Sequence, residues 1–397
     1  MYLPYPARVV EFSPYAYELH EDPYPVYARL RAEAPVYHNP TGDFWALSRH
    51  ADVHAAFKDW RLFSNSRGVS LDPASRHGGA RAGMSFLAMD PPEHTRFRSF
   101  VSRAFTPRRV AALEPRIREI TVAHLDALVG SGGFDAIEDF AGKLPMDVIS
   151  EMLGVPLERR AELRTWADLL VHREDGVLDV PAAGIEAFGK LRAYFAELLD
   201  TLRRRPGDDL LSALLALDDA DAPSDDELLS FCNLMIVAGN ETTTKLLGNA
   251  LYWLWRNPEQ RRRVAADPGR IPAWIEETLR YDNSTQALMR LTLDDVEVRG
   301  VTIPAGQRVL LLIGSANRDP EAFPRPDDYD VERDCTEMLS FGRGTHFCMG
   351  AALARLEARV AFEEWWKRFP DYEIQPEGTR RVHSVNVRGF AHLPIKP

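Results

Sequence analysis

Apolar residues recur every three to four positions along most of the chain, the spacing that gathers them on one face of a helix. PYPVYARLRAEAP and ADVHAAFKD carry this period and predict short helices, while DFWALSRH between them reads as a strand. From about 60 to 89 neither period holds; RLFSNSRGVSLDPASRHGGARAGMSFLAM is rich in Gly, Ser and Arg and predicts a long irregular loop. Loops of that length inside compact domains usually serve binding. DPPEHTRFRSFVSRAF restarts a helix, with prolines at its entry where a missing N–H costs least. Helices then follow to about 267, the longest being DDELLSFCNLMIVAGNETTTKLLGNALYWLWRN, with Ser224 and Asp225 as caps. Strand-like segments (DDVEVRG, VTIPAG, QRVLLLIG and RGFAHLPI) come only after about 292. The pattern predicts a mainly α fold with small β-sheets. No Gly/Ser-rich or charged linker divides it, so a single domain over 1–397 is expected, with a helix-rich core at about 91–290 and strand-containing parts at about 22–60 and 292–397.

Composition narrows the class. Of the 397 residues 45% are hydrophobic and 27% charged, ordinary values for a chain that buries a core. Three scattered cysteines, Cys232, Cys335 and Cys348, cannot frame a disulfide scaffold and point to a reducing cytoplasm. The N-terminal MYLPYPARVVEF lacks a signal-peptide pattern, and no apolar run suits a membrane anchor. A net charge of −11 argues against nucleic acid as a general partner.

The candidate chemistry begins at FGRGTHFCMG, 341–350, which runs into the helix-forming AALARLEARVAFEEWW. A cysteine thiol with an ordinary pKa of about 8.5 is easier to ionise beside a metal or at a helix N-terminus. Gly342, Gly344 and Gly350 lack a Cβ and would let the backbone lie flat against a planar group. One thiolate without a C-x-x-C partner does not make a structural zinc site, which needs four ligands. It suits an iron whose in-plane ligands belong to a porphyrin.

The loop is similar to the cysteine-ligand loop of the cytochrome P450 family, F-x-x-G-x-H-x-C-x-G, at Phe341, Gly344, His346, Cys348 and Gly350. The resemblance runs from about residue 22 to the end. It implies a P450-like fold, with haem between the long central helix and the cysteine loop and Cys348 as the metal ligand. In EETLR, Glu277 and Arg280 match the family's scaffold pair, which is joined by Arg333 from FPRPDDYDVER. His94 and Arg98 of EHTRFR, Arg290 of QALMRL and His346 match contacts to the two haem propionates, which call for cationic or donating partners. Phe341, Gly342, Gly350 and Ala238 complete the expected haem-binding set.

AGNETT, 238–243, places Gly, a carboxylate and hydroxyls inside a long apolar helix, a breach of local preference of the kind that marks function. Thr242 can bond back to the carbonyl of Ala238, loosening the helix. Similarity to the family's A-G-x-[DE]-T implies that Thr242 and Glu241 are catalytic, supplying the two protons that heterolytic cleavage of dioxygen consumes. The function implied is a monooxygenase that uses haem b and O2 to oxidise a mostly hydrophobic small molecule such as a polyketide, terpenoid, steroid or aromatic in secondary metabolism. A peroxide-driven or non-hydroxylating haem-thiolate enzyme, and a haem-thiolate sensor or carrier, are the alternatives.

By position, Phe86, Leu87, Leu234, Val237, Ala238, Gln286, Ala287, Leu288, Asn386 and Val387 are expected to form the substrate pocket, apolar with isolated amides. The family commonly has a proline soon after Arg280; Asp282-Asn283-Ser284 stands here instead, which leaves the shape of that segment open. No flavin or nicotinamide region is expected after Pro397. Electrons are therefore expected from a ferredoxin and its reductase, with NAD(P)H used only indirectly and Arg103, Arg355 and Arg359 offered to the partner. A monomer is expected.

Overall fold

A single helix, Asp225–Arg256, runs through the middle of the protein, and most other elements pack around it. The computed structural model describes residues 10–72, 79–102, 105–174, 177–217 and 222–397. The helix opens as its sequence predicts. The Ser224 hydroxyl accepts from the Glu227 amide, and the Glu227 carboxylate accepts from the Ser224 amide, so the two residues form a capping box. Its apolar residues meet helices Ala80–Met84, Leu144–Met152, Leu157–Val171, Ala182–Arg204, Ile271–Tyr281 and Ala351–Arg368. Phe97, Phe231, Trp274, Phe362 and Trp365 are among the fully buried side chains of this core.

Among the described residues the strands form four small sheets. The largest takes 36–39, 44–47, 308–312, 287–292 and 63–64 in that order. Its central strands are covered on both faces. Leu310 and Leu312 pack with Phe44 and Ala287 on one side, whereas Val309 and Leu311 pack with Phe57 and Leu47 on the other.

Three sequence expectations change. Strand structure begins at Ala287, before 292, because Ala287–Thr292 pairs antiparallel with Arg308–Leu312 through the register Ala287↔Leu312 to Leu291↔Arg308. Val36–Asn39 is a further strand, paired with Phe44–Leu47. The 60–89 stretch is not irregular throughout. Phe63–Ser64 joins the sheet, Ala80–Met84 is helical and Ser85–Ala88 forms a 3-10 turn, while 73–78 lie outside the described residues.

The helix Ile271–Tyr281 is fastened to the segment that leads into the cysteine loop. Arg280 grips Glu277 through two bonds of 2.7 and 2.8 Å, both side chains fully buried, and Arg333 reaches the same carboxylate at 3.4 Å. The remaining Arg280 donors go to the carbonyls of Asn317, Pro326 and Asp328. A bidentate pair with every donor satisfied is the arrangement in which a buried ion pair holds geometry.

Candidate active site

The cysteine loop closes on itself where the Cys348 amide donates to the Phe341 carbonyl at 2.9 Å. Gly342 and Gly344 have φ of +67° and +68°, which favours glycine. At Gly344 a Cβ would also stand 2.8 Å from the Phe57 carbonyl oxygen. The flatness expected of Gly344 thus serves close contact with the helix His50–Lys58. Gly350, the N-cap of Ala351–Arg368, has nothing within 4 Å of its Cβ direction, and the Arg355 guanidinium lies over the Phe341 ring at 4.4 Å.

The Cys348 side chain is exposed, while Cys232 and Cys335 are buried. Surrounding protein still raises the Cys348 thiol pKa by burial, opposed by the amides of Gly350 and Ala351 and by the charges of Arg98 and Arg355. Two backbone donors at the start of an 18-residue helix are therefore aimed at the sulfur.

Beside the loop, the rings of His94 and His346 lie tilted at 49° with centroids 4.1 Å apart, and among the described residues neither nitrogen of His94 has a hydrogen-bond partner. Burial, then the charge of Arg98, holds His94 down to about 4. Burial, then His94, Arg290 and Arg98, holds His346 down to about 2. Arg290 is buried, its side chain donates to the Met289 carbonyl, and burial lowers its pKa to about 10. Arg98 donates to the carbonyls of Thr345 and Phe347 at 3.2 and 2.6 Å, tying its helix, Glu93–Ser102, to the cysteine loop.

On the central helix the Thr242 hydroxyl donates to the Ala238 carbonyl at 2.8 Å, yet the helix continues unbroken. Ala238 is exposed and Thr242 half-buried, on a helix whose neighbouring turns are buried, so this face of the helix is open. Glu241 is buried, with Lys245 Nζ 3.2 Å from its Oε2. Burial alone would raise the Glu241 pKa; the Lys245 charge and then a hydrogen bond from Asp168 overcome this and hold it low. Asp168, on the helix Leu157–Val171, is pushed well above the carboxyl range by burial and then by the charge of Glu241. Sequence reasoning missed both partners. Lys245 was visible as an i, i+4 neighbour of Glu241, whereas nothing around Asp168 marks it out.

The expected pocket residues divide. Val237, Ala238, Leu87, Leu288, Asn386 and Val387 keep some surface open, while Phe86 and Leu234 are buried, Phe86 stacking on Phe97 at 5.8 Å. Leu288 shares a strand face with Arg290, but Ala287 turns the opposite way and packs among Phe12, Phe44 and Leu310. The two amides donate to backbone carbonyls, while Gln286 Oε1 has no hydrogen-bond partner among the described residues. Asn386 donates to the carbonyls of Ala287 and Val69, and Gln286 donates to that of Asn283.

The segment without the family's proline is held by side chains. Asp282 receives Arg388, Tyr24 and Trp253, each at 2.7 Å, and the Ser284 hydroxyl donates to the Thr242 carbonyl at 2.7 Å. The arginines expected to face a partner are engaged within the chain. Arg355 forks onto Glu276, and Arg359 bonds Glu363 and Glu114. Arg103 lies outside the described residues.

These features fit a porphyrin bearing two carboxylates. Four cationic or donating groups stand together, two of them histidines, His94 with orphaned nitrogens, next to an open sulfur at a helix start. Comparison with known proteins agrees. The family model for cytochrome P450 matches residues 181–268 and 271–390. A putative cytochrome P450 123 of Mycobacterium tuberculosis is 54% identical over 385 residues, 96% of each chain. The vitamin D(3) 25-hydroxylase of Pseudonocardia autotrophica is 41% identical over 94% of each. Among solved structures, CYP109E1 of Bacillus megaterium in complex with testosterone superposes with a TM-score of 0.89 at 32% identity, covering 96% of this chain and 99% of that one. Among the described residues no helix is long and apolar enough to cross a membrane. The loop around Cys348, the fold that presents it and these end-to-end similarities lead to one conclusion: the chain belongs to the cytochrome P450 family of haem-thiolate monooxygenases.

Proposed function

We propose that Cys348 binds the iron of haem b and that His94, Arg98, Arg290 and His346 receive its propionates. The carrying observation is the open Cys348 sulfur at a helix N-terminus beside His94, whose ring nitrogens have no partner among the described residues. Phe341, Gly342, Gly350 and Ala238 then border the ring. When bound, haem supplies dioxygen activation by a thiolate-ligated iron, the ligand that favours O–O cleavage. The chain's own task is to deliver protons and exclude water. Thr242 offers a hydroxyl on the open face of the helix, and Glu241 is the adjacent acid that passes protons to it. A buried, charge-compensated acid beside that hydroxyl favours dioxygen-dependent oxidation over a peroxide-driven or carrier role.

The substrate we propose is a mostly hydrophobic molecule of steroid or polyketide size. A vitamin D(3) hydroxylase, the monooxygenase PikC and a testosterone-bound P450 among the similar proteins support that class. Leu87, Val237, Ala238, Leu288 and Val387 are its proposed contacts. Electrons come from a ferredoxin and its reductase at the expense of NAD(P)H, and the enzyme acts in the cytoplasm as a monomer. The test is the reduced carbon-monoxide spectrum of haem-loaded protein. The red-shifted band of thiolate ligation is expected, and it should vanish in Cys348→His; an imidazole-type or water-type spectrum in the unaltered protein overturns the assignment. A panel of steroids and macrolides, read as displacement of the ferric spin state, then selects the substrate.

A further inference from the structure

Two histidines of the helix His50–Lys58 have no task in the site described above. His50 and His54 stand one turn apart in HADVH, so their side chains leave the same face of the helix. Their ring centroids are 6.1 Å apart with the planes at 12°, and both residues are half-buried. A histidine pair at this spacing on one helix face is a zinc-binding unit.

The His50 ring is oriented from outside its own helix. Its Nε2 lies 2.8 Å from the Glu337 carbonyl oxygen. A carbonyl can only accept, so Nε2 carries the hydrogen and Nδ1 of the neutral ring keeps its lone pair. Metal-bound histidines commonly donate their second N–H to such an oxygen, which fixes tautomer and ring direction. The Phe323 ring, edge-on at 5.9 Å, and the bond from the His50 amide to Asp319 at 2.9 Å hold the residue further. The His54 ring, half-buried, can turn toward it. An ion about 2.1 Å from one nitrogen of each ring lies about 3 Å from each centroid, so rings about 5–6 Å apart can share it. The observed 6.1 Å asks only a small rotation of His54.

The surroundings select the kind of ion. Glu337 favours a cation near His54, whereas Lys58 and Arg343 oppose one. Among the described residues no third histidine, cysteine or carboxylate is gathered with the pair for a metal ion. Mg2+ and Ca2+, which need several oxygen ligands, are poorly served by two imidazoles. Zn2+, Ni2+ and Cu2+ bond well to imidazole and can fill their other positions with water.

We propose that His50, through Nδ1, and His54 form a two-imidazole site for a divalent transition-metal ion whose coordination is completed by water. The proposal does not depend on the reading of Cys348, although the helix it loads is the one that abuts the cysteine loop at Gly344.

Two measurements on the haem-loaded protein test this. In the first, Zn2+ is titrated in by calorimetry at neutral pH. One ion per chain in the micromolar range is expected, and excess Mg2+ should not compete. Loss of a supporting partner alone weakens a metal site 10–100-fold, so removing a ligand in His54→Ala or His50→Ala should weaken binding at least about tenfold. Haem content and the carbon-monoxide spectrum should stay unchanged in both variants. The second measurement is the imidazole 1H–15N spectrum of the reduced carbon-monoxide form, in which Zn2+ should move the His50 Nδ1 signal and one nitrogen signal of His54. Binding weaker than millimolar, binding of unchanged strength in His54→Ala, or shifts confined to other histidines overturns the proposal.

Discussion

Thr242 has a hydroxyl occupied by the Ala238 carbonyl, and it must leave that bond, or share it, to serve chemistry. Replacing it by alanine removes the donor without disturbing the buried Glu241–Lys245 pair. Thr242→Ala should therefore leave substrate-induced spin shifts intact while product per NADH consumed falls by about tenfold or more, because a positioned proton donor is lost. Glu357 illustrates a different residue-level effect. It is buried on the helix after the cysteine loop, its Oε2 has no partner among the described residues, and burial raises its pKa to about 8. The folded state holds this proton where the unfolded chain, with a pKa of about 4.3, has released it. Its contribution to stability is therefore full below about pH 4 and declines up to about pH 8. Glu357→Gln should flatten that decline, read as urea midpoints at several pH values. Cys348 and the Glu241–Thr242 pair were legible because motif spacing singles them out. Asp168 was not, since an acid on an amphipathic helix has the sequence signature of a solvated side chain.

Elements hold the site more tightly than their sequences suggest. The helix Ile271–Tyr281 presents Glu277 to two arginines, and one of them, Arg333, lies on the stretch that feeds the cysteine loop. Glu277→Ala leaves both guanidinium groups without their carboxylate and should cost about 3–5 kcal/mol, measured by denaturant unfolding. Gly344→Ala tests the loop itself. A Cβ at φ +68°, 2.8 Å from the Phe57 carbonyl, should shift the loop and lower haem retention on gel filtration, with a backbone strain cost of about 1–3 kcal/mol. Helices were readable because one buried face imposes a 3.6-residue period. The strand Ala287–Thr292 was not, because both its faces are covered and the alternation that betrays a strand is lost. Short pieces such as Ala80–Met84 escaped because five residues carry too little period to recognise.

At the scale of the molecule, Asp282 joins parts that are far apart in the chain. Tyr24 near the N-terminus, Trp253 at the end of the central helix, and Arg381 and Arg388 near the C-terminus all meet its carboxylate. Burial opposes its ionisation, but Arg388, Arg381 and the two hydrogen bonds prevail and depress its pKa below the ordinary value. The stability it contributes is complete above about pH 4 and is lost as pH falls toward the folded pKa. Asp282→Asn should reduce neutral stability by about 3–5 kcal/mol and flatten the acid limb of the unfolding curve.

The same long-range assembly governs when the cysteine and its neighbours can first act together. His94 and Arg98 come from the first quarter of the chain, Arg290 from a strand that pairs with Arg308–Leu312, and Cys348 from near the end. A polypeptide still emerging from the ribosome therefore lacks the sulfur while its histidine is already out, and Arg290 cannot be seated until its partner strand has been synthesised. The proposed haem contacts are therefore complete only once the chain has been made past Cys348.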